Sequence, residues 1–521
     1  MRQTLLSLLL ALLLVSSAPA LAQTEVGEVS FANSGAPAAQ EPFLRGLALL
    51  HDFEYSDAAA EFRKAQAADP GFAMAWWGEA MTYNHPVWMQ QDLAAARAAL
   101  GRLGATPEAR LAKAKTERER DYLRAVEILY GDGTKEERDF RYSDAMAALH
   151  QRYPDDVDAT AFYALSLLGT AHQGRDFAIY MRSAALLEEV FPTHQHHPGV
   201  LHYLIHSYDD PIHAPLGLRA ARLYGGVAPN AGHALHMTSH IFVALGLWDD
   251  VIAANERAMR VVDQQRAAHG QGPKACGHYP TWLHYALLQE RRFDEAARRL
   301  DDCRRMAAAE LSAAPASLDP DNSSVGSYVE MRVVQALETG RWDAAAPLAV
   351  PAGHAAARFT QGYGEALLAA AGSDPAALHA AAGRLRERQK ELLAEIAKER
   401  KTNPIDRQRA EIAVRQIEAL EKIRDGKKDE GIAILRQAAD AESAMALEFG
   451  PPAIEKPTAE LLGDELLALG RAAEAEQAYR SALARAPGRT RSLQGLLRAQ
   501  QALGKTDAAR QTQAQLARFV R

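Results

Sequence analysis

The sequence predicts an all-α protein built as a solenoid of helical hairpins, and three observations lead to this prediction. Beyond the first 22 residues, Ala, Leu, Glu and Arg recur at helical spacing, and no stretch shows the alternation typical of strands. A set of small, aromatic and proline positions repeats at equal spacings near both ends of the chain. Histidine is concentrated, because twelve of the eighteen histidines lie between His194 and His284.

Length and charge exclude several classes of protein. The 521 residues correspond to three or four ordinary domains unless the chain is a repeat array, for which that division has no meaning. Lys and Arg number 59 against 66 Asp and Glu, so the net charge is −7. Because nucleic-acid binding depends on a basic excess, we expect no nucleic-acid partner.

Residues 1–22 have the pattern of a secretory signal peptide. An arginine at position 2 precedes an apolar run from Leu5 to Val15, and Ala20-Leu21-Ala22 is typical of a signal-peptidase site. We therefore expect export, to the periplasm or beyond, after cleavage near Ala22; a retained N-terminal anchor is the alternative. No later stretch reaches about 18 uncharged apolar residues, so we expect no membrane span in the mature chain.

Two units at opposite ends of the chain share the same spacings of 12, 4, 3 and 5 residues. The first is Gly46, Ala58, Phe62, Ala65 and Pro70, and the second is Gly463, Ala475, Tyr479, Ala482 and Pro487. These residues resemble the tetratricopeptide repeat (TPR), a 34-residue helical hairpin in which small residues allow close helix contact and an aromatic ring fills the space between helices. The resemblance implies a right-handed superhelix of such hairpins.

Weaker units indicate that the array covers most of the mature chain. They have a turn with an aromatic or small residue before the second helix, at 142–145, 247–250, 292–296, 341–344 and 504–507. A charged helix interrupted at Asn403-Pro404 predicts a boundary between one array over 23–400 and a second over 405–521. A long solvated repeat helix followed by its loop is the alternative interpretation.

The repeat register predicts where the histidines point. It places first helices of hairpins at Pro198, Gly232 and Gly277, and at about 100° per residue their repeat positions 2, 5 and 9 share one face. Asp210 lies near the same stripe and Asp209 at its edge. The face is the concave one of a TPR array, and its six histidines are His202, His206, His233, His236, His240 and His278.

Such a cluster favours a transition-metal site. Neutral imidazole suits Zn, Cu and Fe, and the pairs His202/His206 and His236/His240 are spaced so that both members reach one ion. Asp210, or Asp209, would add a carboxylate ligand. A metal-free groove that binds its ligand by hydrogen bonds or responds to pH, and plain helix packing, are the alternatives.

Several segments together resemble a subgroup of exported bacterial TPR proteins. They include residues 77–81, 202–209, 233–242 with 246–249, and 449–452. The resemblance implies a fold, export and ligand binding, but no particular reaction.

Two further sets of residues complete the sequence predictions. Trp77, Met81 and His85 fall on inner-face positions and are expected to line the ligand groove with Asp209. Cys276 and Cys303 lie at ends of one hairpin that meet, so an oxidising compartment favours a disulfide; two buried thiols are the alternative.

The sequence thus predicts an exported TPR-type binding or scaffold protein whose concave groove carries a metal-binding histidine cluster, with a protein or peptide as partner. A metal-dependent enzyme using the His/Asp cluster and a metal-free peptide-binding scaffold are the alternatives. No nucleotide-binding or hydrolase motif occurs, so the sequence favours no enzymatic activity. It gives no prediction of oligomeric state.

Overall fold

The computed structural model describes residues 25–313, 323–342, 346–399 and 404–519. The predicted signal segment lies outside these residues. Their helices run in chain order, beginning with α1 (Pro37–His51), α2 (Tyr55–Ala68), α3 (Ala73–Met81), α4 (Leu93–Leu103), α5 (Pro107–Leu111), α6 (Glu117–Leu129), α7 (Lys135–Arg152), α8 (Val157–Leu168) and α9 (Phe177–Val190). The middle of the chain forms α10 (Pro198–Tyr208), α11 (Ala214–Val227), α12 (Gly232–Leu245), α13 (Trp248–Ala268), α14 (His278–Gln289), α15 (Phe293–Ala313) and α16 (Ser324–Thr339).

The C-terminal part forms α17 (Ala355–Ala371), α18 (Pro375–Glu399), α19 (Ile405–Arg424), α20 (Lys428–Ala444), α21 (Thr458–Ala468), α22 (Ala472–Arg485), α23 (Thr490–Ala502) and α24 (Thr506–Leu516). Two short antiparallel strands, Asn84–His85 and Gln90–Gln91, flank a 3-10 turn over Pro86–Trp88. Nearly all the regular structure of the described residues is helical, which confirms the all-α prediction.

The hairpins pack as the two full repeat units predict. Phe62 of α2 lies so close to Gly46 and Gly78 that an added Cβ would stand 3.0 and 2.3 Å from its ring. Tyr479 fills the same place in the C-terminal unit between Gly463 and Gly495, at 2.8 and 2.2 Å. A small residue on each neighbouring helix is therefore required by the aromatic ring, and the helical-hairpin solenoid is confirmed at both ends.

One weaker unit is wrong. Residues 142–145, interpreted as a turn between helices, lie inside α7, whose start is fixed by a capping box between Thr134 and Glu137. Of the unit at 341–344, residues 343 and 344 lie outside the described part of the chain. The turns predicted at 247–250, 292–296 and 504–507 do separate helices.

The predicted boundary near Pro404 does not coincide with a break in the core. Pro404 lies between α18 and α19, yet one hydrophobic cluster contains Leu385 before it and Ile417 after it. The helices on both sides are joined by their packing, so 23–400 and 405–521 do not have separate cores.

The C-terminal hairpins fold back onto the middle of the chain. The buried guanidinium of Arg489 pairs with Glu338 and with Glu460, each at 2.7 Å, and donates to the hydroxyl of Tyr285 at 3.1 Å. Trp248 Nε1 donates to the carbonyl of Gly488 at 3.0 Å. These contacts bring the connector between α20 and α21 (residues 445–457, hereafter the α20–α21 connector) over the histidine-bearing helices.

Cys276 and Cys303 are joined in a disulfide that closes the α14–α15 hairpin. In the described residues no helix is long and apolar enough to cross a membrane.

Candidate metal centre

Three helices that start where the repeat register predicts carry the histidines. α10 begins at Pro198, α12 at Gly232 and α14 at His278. The start of α12 is held from outside the hairpin, because the Glu54 carboxylate accepts a hydrogen bond from the backbone N–H of His233 at 2.8 Å. This contact with the turn after α1 holds the first residues of α12 in place.

His236 and His240 face one another through their Nε2 atoms, which are 3.3 Å apart. His240 Nδ1 donates to the carboxylate of Asp209 at 2.9 Å, and His236 Nδ1 donates to Oδ1 of Asn255 at 2.7 Å. Asn255 is oriented by its own amide, which donates to the carbonyl of Val251. Both Nδ1 atoms thus meet acceptors and carry the proton, so in neutral rings both Nε2 lone pairs point at each other with no proton between them.

Three further histidines present a bare Nε2 in the same way. His202 Nδ1 donates to the carbonyl of His51 at 2.6 Å, and His206 Nδ1 lies 3.3 Å from the Asp209 carboxylate. His233 Nδ1 contacts the hydroxyl of Tyr279 at 3.3 Å. The Nε2 atoms of these three histidines are buried and have no hydrogen-bond partner.

The geometry fits a metal with imidazole ligands. Two nitrogens bound to one ion at about 2.0–2.1 Å in tetrahedral geometry lie about 3.3–3.4 Å apart, which matches the His236–His240 distance. One candidate ligand atom from each of His202, His206 and His233 lies within 4.8 Å of the other two, and the same holds for His236, His240 and His278. A carboxylate, amide or carbonyl behind the other ring nitrogen is the usual second layer of a histidine metal site.

Burial keeps the rings of four of these histidines neutral, namely His202, His233, His236 and His240. It lowers the pKa of His202, His233 and His236 well below the usual range, with repulsion between neighbouring histidines acting in the same direction. Burial lowers the pKa of His240 to about 4, although Asp209 opposes it. Neutral imidazole is the form that binds a metal, so no proton has to be displaced near pH 7.

Asp209 stays ionised although it is fully buried. Burial by itself would raise its pKa, but the guanidinium of Arg175 and the hydrogen bonds from His206 and His240 outweigh that effect and hold the pKa well below its usual range. The carboxylate is therefore an acceptor that fixes two ring tautomers, with Arg175 balancing its charge.

Asp210, predicted as a metal ligand, is placed elsewhere. Its carboxylate accepts from the backbone N–H groups of Ile212 and His213 at 2.9 and 3.1 Å and from His213 Nδ1 at 2.9 Å. It closes the turn before α11, and the neighbouring Asp209 takes the position beside the histidines. A one-residue difference at the end of α10 decides this, because the helix ends at Tyr208.

The face is buried rather than an open concave groove. Phe449 of the α20–α21 connector lies on His240 with ring centroids 4.8 Å apart and contacts His206 at 6.2 Å. Gly450 approaches Trp282 so closely that a Cβ would stand 2.3 Å from the indole. A peptide therefore has no open groove at this face, which corrects that part of the sequence prediction.

Phe53 covers the other side of the cluster. Its ring lies 4.3 Å from that of His202 and 5.7 Å from that of His233. The backbone of Phe53 has φ +59°, a left-handed conformation that is uncommon for a bulky residue. Strain of this kind concentrates at functional sites. Phe53 lies in the turn after α1, where no sequence pattern indicates a functional role.

The predicted groove residues separate in the structure. Trp77 lies in the core against Phe31, Tyr122 and Phe162, because α3 turns this face toward α6 rather than toward the histidines. The repeat register therefore predicted the wrong surroundings for Trp77, which is a core residue and does not line a groove.

Of the other three predicted groove residues, Asp209 contacts the histidine cluster directly, and Met81 and His85 lie near it. Met81 lines a small cavity of about 20 Å³ that Phe53 also lines. His85 stacks on Tyr55 at 4.0 Å and lies 6.2 Å from Trp88, whose ring is 5.7 Å from that of His233. His85 therefore belongs to an aromatic layer beside the cluster and is not a ligand in it.

A second His/Asp group lies behind the cluster. His51 Nε2 and His197 Nε2 contact one oxygen of Asp158 at 2.9 and 3.3 Å, and His51 Nδ1 contacts the Tyr203 hydroxyl at 2.9 Å. His197 Nδ1 accepts from the backbone N–H of Val200. Because the nitrogens of both rings already have partners, this group fits a structural role. Sequence reasoning missed His51 and Asp158, since each is isolated in its own helix.

No protein-family model matches the chain, and no curated protein matches it. Several solved structures do, over most of both chains. A human IFIT1 dimer with m7Gppp-AAAA is 12% identical over 95% of this chain and 92% of that chain, with a TM-score of 0.35. Yeast Tom70 is 13% identical over 90% and 96%, with a TM-score of 0.35, and the TPR domain of P58(IPK) is 13% identical over 90% and 99%, with a TM-score of 0.19.

Proposed function

We propose that this chain is an exported α-helical repeat protein that binds a transition metal in its buried histidine cluster. The observation that supports this best is the pair of unprotonated Nε2 atoms of His236 and His240, 3.3 Å apart. Two lone pairs that face each other in a buried site repel unless a cation lies between them. A proton is disfavoured there by burial, which leaves a metal ion as the cation that suits the site.

The donor set narrows the choice of metal. All six candidate ligands are imidazole nitrogens, which suit Zn, Cu or Fe and not the oxygen-preferring Mg, Ca or Mn. The two cysteines are joined to each other and supply no thiolate. The proposed role is metal binding within a repeat scaffold.

Export is part of the proposal. The N-terminal pattern supports it, and the disulfide between Cys276 and Cys303 fits an oxidising compartment. Mass spectrometry of the protein from its native host should give a mature N-terminus at Gln23. A cell-associated protein that retains Met1 would contradict export.

Metal analysis tests whether the histidine cluster binds a transition metal. Protein purified without chelators, then loaded with Zn²⁺ or Cu²⁺ and desalted, should retain stoichiometric metal by plasma mass spectrometry. The double variant His236→Ala/His240→Ala should lose it. His284→Gln is the matched control, because His284 is a buried histidine that hydrogen-bonds Gln335 and lies outside the cluster. Absence of metal in the loaded wild type would contradict the proposal and leave a metal-free scaffold.

A further inference from the structure

The six histidines form two sets of three. In site A (His202, His206 and His233) the ring of His202 lies 4.9 Å from that of His206 and 5.2 Å from that of His233. In site B the ring of His236 lies 5.1 Å from that of His240 and 4.5 Å from that of His278. Site A takes two ligands from α10 and one from α12, and site B takes two from α12 and one from α14, so the shared helix α12 joins the sites.

The two sites are also in contact. The rings of His206 and His240, one from each site, are 5.6 Å apart, and those of His233 and His236 are 6.1 Å apart. Both distances fall within the range found inside site B, where the rings of His236 and His278 are 4.5 Å apart and those of His240 and His278 are 6.4 Å apart. The two sites are therefore close enough that a metal ion in site A and a metal ion in site B could share one small ligand.

We infer, on the basis of the proposed function, that the cluster holds two copper ions, one in site A and one in site B, with a small anion able to bridge them. Each ion receives three neutral imidazole nitrogens, which leaves a coordination position open toward the other site. A single ion does not account for all six histidines. The ring of His202 contacts that of His233, which contacts His236, which contacts His278, so His202 and His278 lie at opposite ends of this series.

Asp209 supports this interpretation. Its carboxylate accepts from His206 of site A at 3.3 Å and from His240 of site B at 2.9 Å. One buried carboxylate thus fixes a ring in each site with its Nε2 directed away from Asp209, as an outer-layer partner of histidine ligands does.

Charge favours copper and an anionic bridge. The ligands are neutral and Asp209 is balanced by Arg175, so the cluster brings no net negative charge to the ions. Two divalent ions repel each other about four times as strongly as two monovalent ions at the same separation. Copper can be bound as Cu(I), and when both ions are divalent, a hydroxide or other small anion between them offsets the added charge.

Site B has a route to solvent. His278 is exposed at the start of α14, whereas the other five histidines are buried. Trp88 is 38% exposed and lies against His233 of site A. A small anion can therefore reach the cluster beside His278, while a peptide is excluded by the α20–α21 connector.

An anaerobic titration of the full-length mature protein with Cu(I), against a chromophoric chelator, counts the sites. We expect two ions per chain for the wild type and for His284→Gln, and one ion for His202→Ala and for His278→Ala. His278→Ala is the variant least prone to misfolding, because the side chain is exposed. One ion in the wild type would overturn this inference and leave the proposed function standing, whereas none would overturn both. Two ions in His278→Ala would overturn the assignment of site B.

Electron paramagnetic resonance tests the shared ligand. Ferricyanide takes one electron from each Cu(I), and the wild type then holds two Cu(II) ions. A bridging hydroxide couples their spins, so we expect the integrated signal to fall well below the copper content. The single ion of His278→Ala should give its full signal. A full signal from both ions of the wild type would overturn the bridge.

Discussion

Replacing the Asp209 carboxylate by an amide separates its role from that of Asp210. Both histidines contact one oxygen of Asp209, Oδ2, and Arg175 contacts the other, Oδ1. In Asp209→Asn the amide oxygen is expected to face the buried guanidinium, because a charged donor makes the stronger hydrogen bond. The NH₂ group then faces the Nδ1–H of both histidines. Donors that face each other repel, so both rings must change tautomer, and their Nε2 atoms carry protons into the cluster and lose the lone pairs that a metal needs.

The size of the effect follows from two contributions. Loss of a correctly oriented ligand through its outer partner lowers metal affinity about 10- to 100-fold. The Asn variant also leaves the buried Arg175 with Asp210 at 3.6 Å as its nearest described carboxylate. Removing one partner of a buried ion pair costs about 3–5 kcal/mol, so the metal-free variant should be less stable by that amount.

Asp210→Asn is the matched control. It removes a neighbouring buried carboxylate that contacts Arg175 and His213 but none of the six histidines. We expect it to lower stability and to leave metal affinity unchanged. Competition with a chelator measures affinity, and urea unfolding with and without metal measures stability. Wild-type affinity in Asp209→Asn, or a greater loss of affinity in Asp210→Asn, would refute the assigned roles.

Three further outcomes are expected. Burial lowers the pKa of His284 from 6.5 to about 4 in the folded protein. The stability that the neutral His284 ring contributes is therefore complete above pH 6.5 and is lost as the pH falls toward 4. Unfolding of the metal-free protein should show a loss of about 3 kcal/mol from this group, and His284→Gln should lack that loss. Gly450→Ala should displace Trp282 and reduce both stability and metal binding. Gly470 has a similarly positive φ but open space around it, so Gly470→Ala should lower the free energy of unfolding by only about 1 kcal/mol. Equal losses in the two variants would contradict the close approach at Gly450. Reduction of the disulfide at Cys276, which closes a loop with a sequence separation of 27, should lower stability by about 3–4 kcal/mol, measured by unfolding with and without reductant; an unchanged midpoint would contradict this.

The repeat pattern in the sequence predicted much of the fold correctly. The 34-residue register predicted the starts of α10, α12 and α14 to within one residue, because helix packing in a repeat depends on neighbours close in sequence. It failed at 142–145, where the spacing between units is irregular and α7 continues through the expected turn.

The candidate site could be predicted only in part. Histidine positions on three consecutive hairpins were readable from periodicity, and the structure brings all six together. The choice of Asp209 over Asp210 depends on where α10 ends, which is the least predictable feature of a helix.

The burial of the histidine cluster by Phe449 and Phe53 could not be predicted from the sequence pattern. Phe449 reaches His240 from more than 200 positions away, and Phe53 reaches His202 from about 150. These contacts depend on how the C-terminal hairpins fold back, through pairs such as Arg489 with Glu460. No periodicity within a hairpin contains that information.

Anomalous X-ray diffraction at the absorption edge of the bound metal would show where the ions lie among the histidines. For crystals of metal-loaded protein we predict anomalous peaks about 2.0–2.1 Å from the Nε2 atoms of His236 and His240 and, equally, of His202 and His206. Peaks confined to the His51–Asp158–His197 group, or no peak within the histidine cluster of a fully loaded crystal, would contradict the account.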